Sequence, residues 1–336
     1  MGRTAPGQYS MGWKAPDYEV DDNGKIKGLV NDRQPNNWGR WGDLDERGTT
    51  NLLTPERVQA AAGLVQEGRI ISMAIPLDST GPVHPSRPAV QHWYGYSGSD
   101  MIVGTKLNEA YPGFQGTDDY LSMPLQGSTQ WDGLAHLGFQ DSLYNGFWLG
   151  NVEQFAGAQK CSIHHQKESL CGRGVLLDVA RLKGVDHLEQ GYAITPADLD
   201  EAVAAHGVEV RQGDILIVRT GNVAWWYTLE DKSVFFAGEP GLSIACAEWL
   251  AEKDVAAIAM DNVAIEVEPF EEPCPQPFPL HAKLIRDMGL SLGEIWHLEA
   301  ISEACHASGR YEFFVAAQPL NITNASGSPL NPIAIL

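Results

Sequence analysis

The residues best able to do chemistry lie between Gln126 and Gly146. Gln126, Gln130, Asp132 and His136 put two amide oxygens, a carboxylate and an imidazole within eleven residues. Such a set can hold a metal ion or move protons. If Gln126 to Asp132 is extended, Gln126, Gln130 and Asp132 share one face, because side chains alternate along a strand. A turn at Gly133 then brings His136 back toward Asp132. The neighbouring residues are small or apolar, so Asp132 is partly desolvated and needs a cation or hydrogen-bond donors. A second pair lies far along the chain. His281 falls on one helical stripe with Leu284, Ile285 and Met288, a position that suits a core histidine as well as a ligand. Glu294 sits inside the apolar run Leu290 to Trp296, and a buried carboxylate requires a partner.

The elements that must position these groups follow from local signals. Thr54-Pro55-Glu56 opens a helix with a capping hydroxyl, Pro at the first position and an acid in the first turn. Ile70 to Leu77 reads as a strand, and 79–98 as a loop. Gly172 to Val179 is a buried strand bounded by glycines. Thr195-Pro196 opens a helix that ends at Gly207, and Ile215 to Arg219 is the next strand. Ser243 caps a helix through Leu250, Val255 to Met260 is a strand, a short helix begins at Pro279, and Arg310 to Leu320 is the last strand. Helix and strand alternate, which predicts an α/β fold. Residues 1–35 lack periodicity and read as an irregular arm. Adjacent histidines on a strand cannot face the same way, so His165 is taken as the one of the His164–His165 pair that contacts substrate. Trp225-Trp226-Tyr227, read as a loop, offers an aromatic wall or a core or subunit contact.

Composition excludes several classes. A net charge of −20 argues against nucleic acid and against anionic membrane surfaces. No run of roughly eighteen apolar residues is present, so no spanning helix is expected. The five cysteines form no Cys-x-x-Cys pair and read as buried thiols in a reducing cytoplasm. Neither a phosphate-binding glycine loop nor a Gly-x-Ser-x-Gly elbow occurs, which disfavours nucleotide and serine-hydrolase chemistry.

The stretch from Gln126 to His136 resembles the His-x-Gly-Thr-His-x-Asp-x-Pro-x-His signature of the cyclase family. That family includes bacterial kynurenine formamidases and isatin hydrolase, which are metal-dependent amide and lactam hydrolases. Thr129, Asp132 and His136 match the signature. Gln126 and Gln130 replace its first two histidines, and Gly133-Leu134 stands where Ala-Pro is common. The segment from Asn36, the Gly174-Val-Leu-Leu-Asp178 strand and the Gly327-Ser-Pro-x-Asn-Pro332 tail are also similar. His281 and Glu294 stand at the family's last two ligand positions.

The resemblance implies the swivelling β/β/α barrel-like fold, with residues 36–336 as one catalytic domain in a homo-oligomer. It implies metal-dependent hydrolysis of an amide, lactam or lactone in a small cyclic or aromatic substrate. Asp132, His136, His281 and Glu294 would hold zinc or manganese, one ion per chain because the two glutamines are weaker ligands. His136, Gln130 and Glu294 would take part in catalysis, with Gln130 a marginal ligand or a donor to the substrate carbonyl. Gln126, Trp131, His165 and Trp225 would contact the substrate. Two other readings stay open: a metal-dependent cyclase, dehydratase or lyase, and a metal-free binding protein.

Overall fold

Runs of β-branched and leucine residues bounded by Gly or Asp build a nine-stranded sheet. The computed structural model describes residues 16–271 and 277–336; Cys274 and residues 1–15 of the expected arm lie outside them. In chain order the strands are β1 (Ile70–Ser72), β2 (Gln130–Asp132), β3 (Cys171–Asp178), β4 (Ile215–Arg219) and β5 (Ala257–Met260). They continue with β6 (Ser291–Glu294), β7 (Glu312–Ala316), β8 (Gly327–Pro329) and β9 (Ile333–Ile335). Their spatial order is β1-β9-β7-β3-β4-β5-β6-β2-β8, a curled half-barrel. The central strands β3 to β6 are mutually parallel, and the strands on either flank pair antiparallel. The α/β expectation holds.

Strand alternation divides the interior into two cores. Val175, Leu177, Leu216, Val218, Ile258 and Met260 face one side, where α2 (Pro196–His206), α4 (Cys246–Lys253) and the segment 280–290 cover them. Leu176, Ile215, Ile217 and Ala259 face the other, against Trp131, Trp296 and α5 (Glu299–Ser308). Several local signals act as read. Thr54 accepts from the Arg57 N–H at the start of α1 (Pro55–Ala62), and Thr195 with Asp198 forms a reciprocal cap on α2. Gly207 ends α2 in the left-handed conformation.

Other expectations are corrected. The strand from Ile70 stops at Ser72; Ala74 keeps one bridge to Trp296, and Pro76 cannot donate to a ladder. Trp225 to Tyr227 lie in a helix, α3 (Asn222–Thr228), not in a loop. The preceding turn is held by Asp261, whose carboxylate accepts from the backbone N–H groups of Thr220 and Gly221. The loop 79–98 contains a strand, Gln91–Tyr96, which pairs with Asp118–Ser122 in an exposed hairpin. After Pro279–His281 the helix widens into a π-helical turn, Ala282–Asp287. Among the described residues no helix is long and apolar enough to cross a membrane.

One glycine is required by packing. A Cβ on Gly293 would meet the Ala259 Cβ at 2.6 Å and a Trp131 ring carbon at 2.8 Å. Trp131 and Trp296 fill that space edge to face, with ring centroids 5.2 Å apart. Overpacking of this kind costs about 1–3 kcal/mol. Gly293→Ala should therefore lower unfolding free energy by about that amount in urea. An unchanged midpoint would show that the indole has room to yield.

Candidate metal centre

Antiparallel pairing of β2 with β6 creates the site. Glu294 stands opposite Gln130, and Leu292 opposite Asp132. Leu292 belongs to the first core, so Gln130, Asp132 and Glu294 project to that side, and Trp131 to the other. The Gly133 turn, closed by the His136 N–H on the Gly133 carbonyl, puts His136 Nε2 3.5 Å from Asp132 Oδ2. His281 enters from the helical segment that packs on this face.

The side chains form a buried polar chain. Gln130 Nε2 donates to Glu294 Oε2 at 2.6 Å, and His281 Nε2 lies 3.1 Å from Glu294 Oε1. His281 Nδ1 meets Glu266 Oε1 at 2.6 Å. Glu266 also accepts the backbone N–H groups of Leu280 and His281, which fixes the imidazole plane. Burial works against charge on His281, but the hydrogen bonds to Glu266 and Glu294 outweigh it and push its pKa up to about 10. Burial and then the Asp132 charge raise Glu294 to about 7, against the pull of His281. His136 is lowered by burial, opposed by Asp132.

Asp132 is the exception. It is 0% exposed, and among the described residues neither of its carboxylate oxygens has a hydrogen-bond partner. Gln130 Oε1 is likewise buried and unpartnered. Asp132, His281 and Glu294 can each offer one ligand atom such that all three lie within 4.8 Å of one another. Nitrogen and carboxylate donors at that spacing suit a divalent cation. Glu266 on Nδ1 is the carboxylate that commonly orients a metal-binding histidine and leaves Nε2 for the ion. The residues fit the implied group.

Three of the four expected ligands come together; His136 stands beside Asp132, on the cavity side and outside the trio. The site opens into a cavity of about 330 Å³, whose wall includes His136, His281, Glu294, Glu239 and Arg87. Phe235, Phe236 and Phe278 supply its apolar part. Glu239 and Glu266 escaped the sequence reading. The signal for Glu266 was a carboxylate in Ala264-Ile-Glu266-Val, an apolar setting like that of Glu294. Phe235-Phe236 was equally visible as an aromatic pair.

The expected substrate contacts do not converge here. Trp131 is fully buried on the opposite face, its indole N–H bonded to the Ala317 carbonyl, so it cannot stack on a ligand. Trp225 lines a different, larger cavity of about 810 Å³ and stacks on His187. That cavity's arginines, Arg181 and Arg219, are paired with Asp178, Glu299 and Glu303. His165 lies 3.4 Å from Glu46 and outside the wall of the smaller cavity. Gln126 precedes β2 in a turn; its carbonyl accepts from Arg87 and its amide reaches Ser326 at 3.4 Å.

Fold and site together define an α/β protein with a buried carboxylate–histidine centre at the edge of a curled sheet. The Cyclase family model matches residues 48–267, a span that holds Gln130, Asp132, His136 and Glu266 and ends before His281. A crystal structure described as a novel cyclase is 45% identical, with a TM-score of 0.85, covering 90% of this chain and 99% of its own. The chain belongs to the cyclase family. Its fold is shared by isatin hydrolase A from Labrenzia aggregata, at 18% identity and TM-score 0.56, over 82% of this chain and 94% of that one. Isatin hydrolase A from Ralstonia solanacearum is similar at 17% identity and TM-score 0.56, over 84% and 97%. A comparison with curated proteins found no match.

The unpartnered carboxylate makes a prediction with two signs. In chelator-treated protein, Asp132→Asn should raise stability by about 1–3 kcal/mol, since it removes a buried carboxylate that has no donors. With divalent metal added, the parent should gain stability and the variant should not. A variant less stable than the parent in chelator would mean that Asp132 is satisfied by the protein itself.

Proposed function

We propose that this protein is a metal-dependent hydrolase that cleaves an amide, lactam or lactone bond in a small cyclic or aromatic substrate. The observation that carries the reading is the buried, unpartnered Asp132 carboxylate beside His281 and Glu294, which themselves line a cavity walled by phenylalanines. Asp132, His281 and Glu294 would hold one divalent ion, zinc or manganese, with Gln130 a marginal further ligand. Such an ion supplies a Lewis acid that polarises a carbonyl and makes water a stronger nucleophile near neutrality.

The remaining work falls to the chain's own residues. Glu266 holds His281 by Nδ1 and keeps its ring from turning. The Gln130 amide holds one Glu294 oxygen and so sets the carboxylate's orientation. His136, on the cavity side of Asp132, accepts a proton from the attacking water through Nε2. Phe235, Phe236 and Phe278 receive an apolar ring and exclude bulk water from the reacting carbonyl.

Two variants separate holding the ion from moving the proton. His281→Ala should lose bound metal and activity together. His136→Ala should keep the metal and lose about 10²- to 10⁴-fold in kcat on an aryl formamide or lactam. Metal analysis beside steady-state rates checks both. Full metal occupancy in His281→Ala would refute the ligand set, and metal loss in His136→Ala would make His136 a ligand.

A further inference from the structure

The cavity in front of the metal centre carries a positive charge that no described side chain answers. Arg87 is the one arginine or lysine in its wall among the described residues. Its Nη1 donates to the Gln126 carbonyl at 2.8 Å, and among the described residues it forms no ion pair. Acids are not scarce, for the chain has 43 Asp and Glu against 23 Lys and Arg. Arg181 and Arg219, in the larger cavity, show the usual outcome and are both paired with carboxylates. Arg87 is instead half-buried in a wall it shares with His136, Phe235 and Phe236, with most of its N–H donors uncommitted.

The loop holds that arginine in place. His84-Pro85-Ser86-Arg87 is a β-turn closed by the Arg87 N–H on the His84 carbonyl at 2.9 Å, with Pro where its fixed backbone angle suits the turn. The Ser86 N–H donates to His84 Nδ1 at 3.2 Å, and the His84 ring packs edge-on against Phe236 with centroids 5.7 Å apart. Gln126, which accepts from Arg87, lies in the turn that leads into β2, the strand that carries Asp132. A cation braced at both ends loses little further freedom when a ligand binds it.

We propose that Arg87 forms an anion subsite that receives a carboxylate on the substrate's ring, so that the preferred substrates are aromatic carboxylates bearing the scissile bond. This inference rests on the hydrolase reading above. The planar guanidinium matches a carboxylate through paired, parallel hydrogen bonds. Charge favours a carboxylate over a phosphate dianion. Glu239, Glu268 and Glu294 share the wall, and a single arginine offsets a single negative charge there. The phenylalanines that take the ring also exclude water around the ion pair, which strengthens it.

The test compares formanilide with ortho-, meta- and para-formamidobenzoate on metal-loaded parent, Arg87→Met and Arg87→Lys. The isomers sample the spacing between the carboxylate and the scissile bond. In the parent, kcat/KM for the best isomer should exceed that for formanilide by about 10- to 100-fold. In Arg87→Met this ratio should fall to within about threefold of unity. Arg87→Lys keeps the charge but not the paired geometry, and should retain part of the preference. A parent that prefers no isomer would overturn the assignment. So would an Arg87→Met variant that loses activity on all the compounds alike with the ratio intact, which would make Arg87 only a tie for the Gln126 turn. A parent that hydrolyses none of them, nor any other amide or ester, would sink the hydrolase reading, and equilibrium binding of the same compounds then judges the subsite. Binding of one isomer about tenfold or more tighter than formanilide, lost in Arg87→Met, would uphold it. Equal binding would end it.

Discussion

The fold buries several carboxylates close together, and the arrangement around them follows from that cost. Taking one carboxylate out of water costs several kcal/mol unless donors or a cation replace its hydration. Glu266 is matched by two backbone N–H groups and the His281 ring. Glu294 is matched by Gln130 and His281. Burial drives the Glu239 carboxyl well above the usual range. Among the described residues Asp132 alone of these is left without any donor, and His136 at 3.5 Å is too distant to satisfy it. A divalent cation resolves that imbalance with donors already aimed at it.

Sheet geometry makes this cluster possible. Parallel strands β3 to β6 bring chain segments of high sequence separation to one end of the sheet, and antiparallel β2 then joins β6 at its edge. That single pairing aligns Gln130 with Glu294 and sets Asp132 two residues along on the same face. Trp131, between them, must point to the other face. There it meets Trp296 and depends on Gly293 having no side chain. The polar site and the aromatic core are thus opposite faces of one three-residue strand.

Local geometry made part of this legible in the sequence. Alternation grouped Gln130 with Asp132, and the Gly133 turn returned His136, because both effects act within a few residues. The same alternation excludes Trp131 from the site, against the expectation that it contacts the substrate. Gln126 was grouped wrongly because β2 is short and begins only at Gln130. Trp225 was misplaced because the helix that carries it depends on Asp261, some forty residues on in the chain. His281 and Glu294 stood out only through the family resemblance, since a histidine on an apolar stripe fits a core position as well. Glu266 is marked locally only by its apolar setting, and its pairing with His281 comes from a segment some fifteen residues away.

The central claim is that Asp132, His281 and Glu294 converge on one cation. The most direct measurement is anomalous X-ray scattering from crystals of the protein soaked in manganese. The account predicts a single strong peak per chain, about 2.0–2.2 Å from one atom of each of the three side chains. A peak elsewhere, or none at full soak with Asp132 still buried, would contradict it.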